Sequence, residues 1–151
     1  MIKKFKYNLL SDAFNEKDIN EGINVLKSKK ITPGSEVILP AICWSTSLWP
    51  IIQNNLKPIF VDVKIDTFNI DIDKIEKKIT KKTKAIMIVH VLGTSTNMTK
   101  LMQLTKKYKL TLIEDTCESL GATYKKKQLG TFGRFGTYSF YYSHQITSGE
   151  G

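Results

Sequence analysis

Five short apolar runs, separated by polar or amphipathic stretches, constrain this chain more than any other feature. They are Val37-Ile38-Leu39-Pro40, Pro58-Ile59-Phe60-Val61-Asp62-Val63, Ala85-Ile86-Met87-Ile88-Val89-His90-Val91, Leu110-Thr111-Leu112-Ile113 and Gly136-Thr137-Tyr138-Ser139-Phe140-Tyr141. The third is apolar almost throughout, the pattern of a strand covered on both faces. The intervening stretches have helical spacing. Ser45 to Asn54 reads as a helix interrupted by Pro50. Residues 71–79 read as a helix with acids first and lysines last, which suits its dipole. Met98 to Tyr108 reads as another. Strands alternating with helices predict an α/β fold, a three-layer sandwich with a mainly parallel sheet. Upstream, Ile19, Ile23 and Leu26 share one helical face over residues 15–29, and Asn15 is placed to cap it. The turn Thr32-Pro33-Gly34-Ser35 closes that arm. The expected organisation is an arm and helix over 1–33 and a larger domain over 34–151.

The 151 residues suffice for one domain with its own core. No apolar run approaches the roughly 20 residues that span a bilayer. The basic start, Met1-Ile2-Lys3-Lys4-Phe5-Lys6, is followed by no apolar core of signal-peptide type. A cytoplasmic protein without membrane association is expected. Cys43 and Cys117 lie far apart and match no metal-ligand spacing, so no metal site and two reduced thiols are expected. The net charge of +9 raises the possibility of nucleic-acid binding. Yet the charge is nearly all lysine, with Arg134 the only arginine. The lysines fall on helix faces and in turns, as a solvated surface requires. Nucleic acid is not the expected partner, and a non-catalytic basic anion-binding domain stands as the reading of another class. Attraction of an anionic nucleotide-sugar follows from the same charge.

Two stretches carry the chemistry. The first is Leu112-Ile113-Glu114-Asp115-Thr116-Cys117-Glu118-Ser119-Leu120-Gly121-Ala122, an apolar run ending in acids and a small-residue turn. Asp115 directly follows a buried strand, and ligands of parallel sheets gather beyond the strands' carboxyl ends. A carboxylate there needs a cationic partner; the alternative is an N-cap for a following helix. Glu118 lies one helical turn on, either beside the same ligand or as a solvated helix acid. The second stretch is Ser139-Phe140-Tyr141-Tyr142-Ser143-His144-Gln145-Ile146-Thr147-Ser148-Gly149-Glu150-Gly151. His144 can move protons near neutral pH, or it is structural or merely exposed. Trp44, just after the first strand, can stack on a planar ring or pack in a core. His90, ending an apolar strand, reads as structural, and the glycines of Gly130-Thr131-Phe132-Gly133 as serving backbone geometry.

Together these stretches resemble the DegT/StrS family of pyridoxal-phosphate-dependent sugar aminotransferases, and within it the nucleotide-sugar 3-dehydratases. There a histidine stands where the aminotransferases carry the lysine that holds the cofactor. Here that position is His144, and no lysine occurs after Lys127. The resemblance implies the large domain of a fold type I PLP-dependent transferase, here incomplete. It implies pyridoxal or pyridoxamine 5'-phosphate as cofactor, with Asp115 on the ring nitrogen, Trp44 stacked on the ring, Glu118 near the phenolic oxygen and Ser143 on the phosphate. It assigns His144 as the acid–base group for loss of the 3-hydroxyl from a 4-keto-6-deoxy nucleotide-sugar, in deoxysugar or surface-glycan synthesis. An aminotransferase homologue that has lost its lysine is the alternative. The family's homodimer, with active sites built from both subunits, is the implied assembly. The match covers nearly all of 35–151 and, more loosely, the arm. No phosphate-binding glycine–serine helix start precedes Gly34, and the family's C-terminal domain is absent, so an impaired fragment is expected. The implied strand order is 58–63, 37–40, 85–91, 110–114, 136–141, all parallel.

Overall fold

All five expected strands form, and they form one sheet. The computed structural model describes residues 31–147; the expected helix over 15–29 and the residues after Thr147 lie outside them. The strands are β1 (Glu36–Pro40), β2 (Lys57–Val61), β3 (Thr83–Val89), β4 (Thr111–Asp115) and, after a two-stranded hairpin of β5 (Thr123–Tyr124) and β6 (Lys127–Gln128), β7 (Phe135–Thr137). The sheet order is β2-β1-β3-β4-β7, with every neighbouring pair parallel. This is the order the resemblance implied. The chain divides into two compact units at Thr32, and the sheet lies wholly within the second, Pro33–Gly151.

Register decides which side chains share a face. Ile38 pairs with Ile59 on one side and Ile86 on the other, and Ile86 pairs with Leu112. Residues level across a parallel sheet point the same way. Helices α2 (Ile72–Ile75) and α3 (Met98–Tyr108) cover that face. Their Ile72, Ile75, Met98, Leu101 and Leu104 join Ile38, Ile86, Ile88, Leu112 and Leu129 in the core. Asn97 caps α3 by accepting from the Lys100 N–H, and Lys106 and Lys107 sit in its last turn, where the dipole favours them. Helix α1 (Ser45–Gln53) takes the opposite face: its Ser47 and Ile51 are buried, and Ser47 reaches Asp115, which alternates with Glu114 along β4. Helices on both faces make the three layers.

The described lysines lie at the surface, all of them exposed but Lys84, as expected. Lys74 pairs with Asp62 at 2.9 Å, Lys107 with Glu76 at 2.7 Å, and Lys100 with Asp73. Hydrogen bonding from its lysine holds each of these acids below the usual carboxylate range. All are solvent-exposed pairs, which contribute little to stability.

Four local expectations change. Helix α1 runs through Pro50 without interruption. Only the Thr46 carbonyl, four residues back, lacks its proline N–H partner, and a nine-residue helix absorbs one such loss. The segment 71–79 begins as α2, capped by Asp71, but tightens into a 3-10 turn over Glu76–Lys78. No helix follows Asp115. Its carboxylate accepts from the Cys117 N–H, and two turns follow, closed by Ser119 N–H to Thr116 O and Ala122 N–H to Ser119 O. Such a side-chain bond two residues on favours a turn over a helix. The fifth strand is three residues, not six. Strand β4 ends at Asp115, opposite Thr137, so the pairing of β4 with β7 stops there.

Candidate functional site

The sheet is parallel, so its strands' carboxyl ends share one end, and the anticipated residues follow three of them: Trp44 after β1, Asp115 and Glu118 at and after the end of β4, Ser143 and His144 after β7. Asp115 is the last residue of β4 and is half-buried on the α1 side. Its Oδ2 accepts from Ser47 Oγ at 2.7 Å and its Oδ1 from Cys117 N at 3.2 Å. Among the described residues no lysine, arginine or histidine forms an ion pair with it. Both thiols feel its charge. Burial pushes the Cys117 thiol up to about 12, and the hydrogen bond and charge of Asp115 add to the rise. Burial raises Cys43 too, again with Asp115 adding. Trp44, the N-cap residue of α1, is 75% exposed, so its ring has an open face. It does not join the core.

His144 lies in a turn rather than at the end of a strand. Its N–H donates to Tyr141 O at 2.9 Å, and its ring meets the Tyr141 ring edge-on at 6.2 Å between centroids. The Nδ1 atom is buried and has no hydrogen-bond partner. Gln145, the next residue, donates from Nε2 to Glu118 O at 2.8 Å. That bond ties the histidine turn to the turns that follow Asp115. The Ser143 hydroxyl and the Glu118 carboxylate are both exposed.

The largest feature that sequence reading missed is Glu114. It is fully buried, on the face opposite Asp115. Three donors surround its carboxylate: His90 Nε2 at 3.0 Å and Gly130 N–H at 2.9 Å on Oε2, and Gly133 N–H at 2.5 Å on Oε1. Burial alone pushes this carboxyl up, but the bonds from His90, Gly133 and Gly130 together outweigh it and hold the group below the usual range. With Nε2–H donating, His90 presents a buried, unpartnered Nδ1. The structural reading of His90 is thus met by a specific partner. A signal existed in the sequence: an acid on an apolar strand, with a histidine ending the neighbouring strand. Ser47, which holds Asp115, had no such signal.

The donor set fits the ring of a protonated pyridine. Among the described residues Asp115 has no ion-pair partner, Trp44 offers a flat exposed ring, and the His144 Nδ1 has no hydrogen-bond partner. For a phosphate, the resemblance assigns one described residue, Ser143.

Residues 23–151 match the model of the DegT/DnrJ/EryC1/StrS aminotransferase family. The chain belongs to this family. It is 50% identical over 126 residues to the lipopolysaccharide biosynthesis protein RfbH of Salmonella typhimurium, covering 83% of this chain and 29% of that protein. Among solved structures it is similar to the E. coli GDP-4-keto-6-deoxy-D-mannose-3-dehydratase with bound hydrated PLP. The identity there is 43%, the TM-score 0.76, and the coverage 79% of this chain and 31% of that one. It is also similar to a variant of ColD, a GDP-4-keto-6-deoxymannose-3-dehydratase, in which a histidine is replaced by lysine and the serine before it by asparagine. That match has 39% identity, a TM-score of 0.79, and coverage of 85% and 35%. This chain therefore spans about a third of the length of the relatives it matches. The family brings the parallel sheet and its fold type I relatives with it, as the sequence led one to expect.

Proposed function

We propose that this chain carries a cofactor-facing part of a pyridoxal or pyridoxamine 5'-phosphate-dependent 3-dehydratase. Its substrate class is a 4-keto-6-deoxy nucleotide-sugar, used in surface-glycan synthesis. One observation carries the reading: the only Ser-His pair of the chain, Ser143-His144, sits on a turn that Gln145 ties to the segment following Asp115. A serine followed by a histidine is also the pair altered in the ColD variant.

When bound, the cofactor supplies an amine for the 4-keto group and a ring that accepts electrons. The residues of this chain do the rest. Asp115 keeps a proton on the ring nitrogen, and Ser47 fixes the carboxylate that does so. Trp44 stacks on the ring. Ser143 donates to the phosphate, and Glu118 lies toward the phenolic oxygen. His144 takes a proton through a ring nitrogen, and no lysine stands there to hold the cofactor covalently. The assembly we propose is the family's homodimer in the cytoplasm. No helix among the described residues is long and apolar enough to cross a membrane.

Covalent trapping tests the reading. Incubation with PLP and reduction by borohydride leaves no pyridoxyl adduct on residues 139–151, and His144→Lys creates one at residue 144. No adduct at residue 144 in His144→Lys removes His144 from the cofactor's reach. Sedimentation of the chain tests the dimer.

A further inference from the structure

The first turn of α1 breaks a local rule. Its N-cap is Trp44, where Ser, Thr, Asp or Asn normally accepts from the free N–H groups of a helix, and the Trp44 side chain makes no cap bond. No acid stands in the first turn either, although the helix dipole favours one there. The helix gives up its own cap for a large exposed ring, an exception of the kind that proteins make at functional sites. The missing acid comes from another element. Ser47, the third residue of α1 and buried, donates its hydroxyl to Asp115 Oδ2 at 2.7 Å. Its N–H donates to Trp44 O at 3.0 Å. One residue therefore bonds both the Trp44 main chain and the Asp115 carboxylate. Among the described residues, Ser47 to Asp115 is the one hydrogen bond between α1 and β4. The charge of Asp115 also reaches Cys43, just before Trp44, and adds to the rise that burial gives its thiol. A second route joins the two residues: Trp44 follows β1 along the chain, and β3 lies between β1 and β4.

We infer that Ser47 is a positioning residue that couples Trp44 to Asp115, the two groups proposed to face the cofactor ring. Its hydroxyl seats the start of α1 against the Asp115 carboxylate, so the stacking residue and the acid for the ring nitrogen move together. The route through the sheet fixes the strands. The route through Ser47 fixes the helix start that Trp44 caps. Coupling of this kind holds a binding slot in shape before the ring arrives. The inference rests on the reading of Trp44 and Asp115 as ring-binding residues, but its test needs neither cofactor nor substrate.

The chain has two tryptophans, Trp44 and Trp49, and Trp49→Phe identifies the indole N–H signal of Trp44 in an NMR spectrum. Asp115→Ala removes the acceptor and should shift that signal. In a Ser47→Ala background the same substitution should leave it where it is, the result of a double-mutant cycle whose coupling runs through Ser47. Ser47→Thr keeps the hydroxyl and should keep the response. Ile51→Val, which trims the other buried residue of α1, is the control: it loosens the helix, yet the response to Asp115→Ala persists. If Ser47→Ala does not fold, Asp115→Asn decides. It keeps an oxygen for Ser47 and should leave the Trp44 signal unmoved, whereas Asp115→Ala moves it. A Trp44 signal indifferent to Asp115→Ala overturns the inference. So does a response that survives Ser47→Ala, that Ile51→Val abolishes, or that Asp115→Asn reproduces in full. Failure of pyridoxamine phosphate to bind would sink the reading of the ring site and leave this coupling standing.

Discussion

Glu114 and Asp115 are consecutive on β4, and their surroundings differ completely. Glu114 points into the face closed by α2, α3 and Leu129, and every donor around it belongs to the protein: one imidazole and two loop amides. Asp115 points toward α1, stays half-exposed, and receives two neutral donors, Ser47 and Cys117 N–H. The first carboxylate is used up in holding the fold. The second has room for a cation. One strand thus serves architecture on one face and ligand chemistry on the other, because its side chains alternate.

Truncating both acids is the strongest test of that contrast. Glu114→Ala leaves two part-buried amides and a buried imidazole without their acceptor, and should cost about 3 kcal/mol or more. Asp115→Ala should cost about 1 kcal/mol or less, since its partners reach solvent or turn geometry. Equal losses in urea unfolding would erase the distinction.

Acid should reveal the same difference. The native Glu114 carboxyl lies below its unfolded value, so the unfolded state binds the proton first as pH falls. Its stabilisation is therefore complete above about pH 4.3 and is lost as pH falls through the lower native value. Glu114→Gln should flatten unfolding free energy against pH in that window, and an unchanged slope would assign acid lability to other groups.

Ligand binding should invert the ranking. Pyridoxamine phosphate should bind the chain weakly, near the millimolar range, where about −4 kcal/mol is available. Asp115→Asn should weaken it by about tenfold, the scale of one charge-assisted hydrogen bond. A fluorescence titration in which Asp115→Asn binds as well as the parent would remove Asp115 from the ring nitrogen.

The smallest effect concerns the thiols. With Cys117 pushed up to about 12, its reaction with a disulfide reagent near pH 8 should be slow beside an ordinary thiol. Asp115→Asn removes part of the cause and should speed it modestly. No change would mean that burial alone suppresses this thiol.

Much of this was readable from the chain. The period of apolar runs announced a parallel α/β sheet, and the motif around Asp115, with Ser143-His144, announced the family. Its errors were local. Pro50 was read as a break because the isolated rule weighs one lost hydrogen bond more than a short helix does. The last strand was drawn too long because a sequence does not show where its neighbour stops.

By itself the sequence determined the elements and their approximate limits, since those depend on spacing within a few residues. Only the tertiary structure decided which of two adjacent acids faces a closed core. Alternation says that Glu114 and Asp115 look opposite ways, but not which side α3 covers. It also decided that Ser47 reaches Asp115 and that the Gly130–Gly133 loop folds onto Glu114. Those contacts join residues distant along the chain, and only packing selects them.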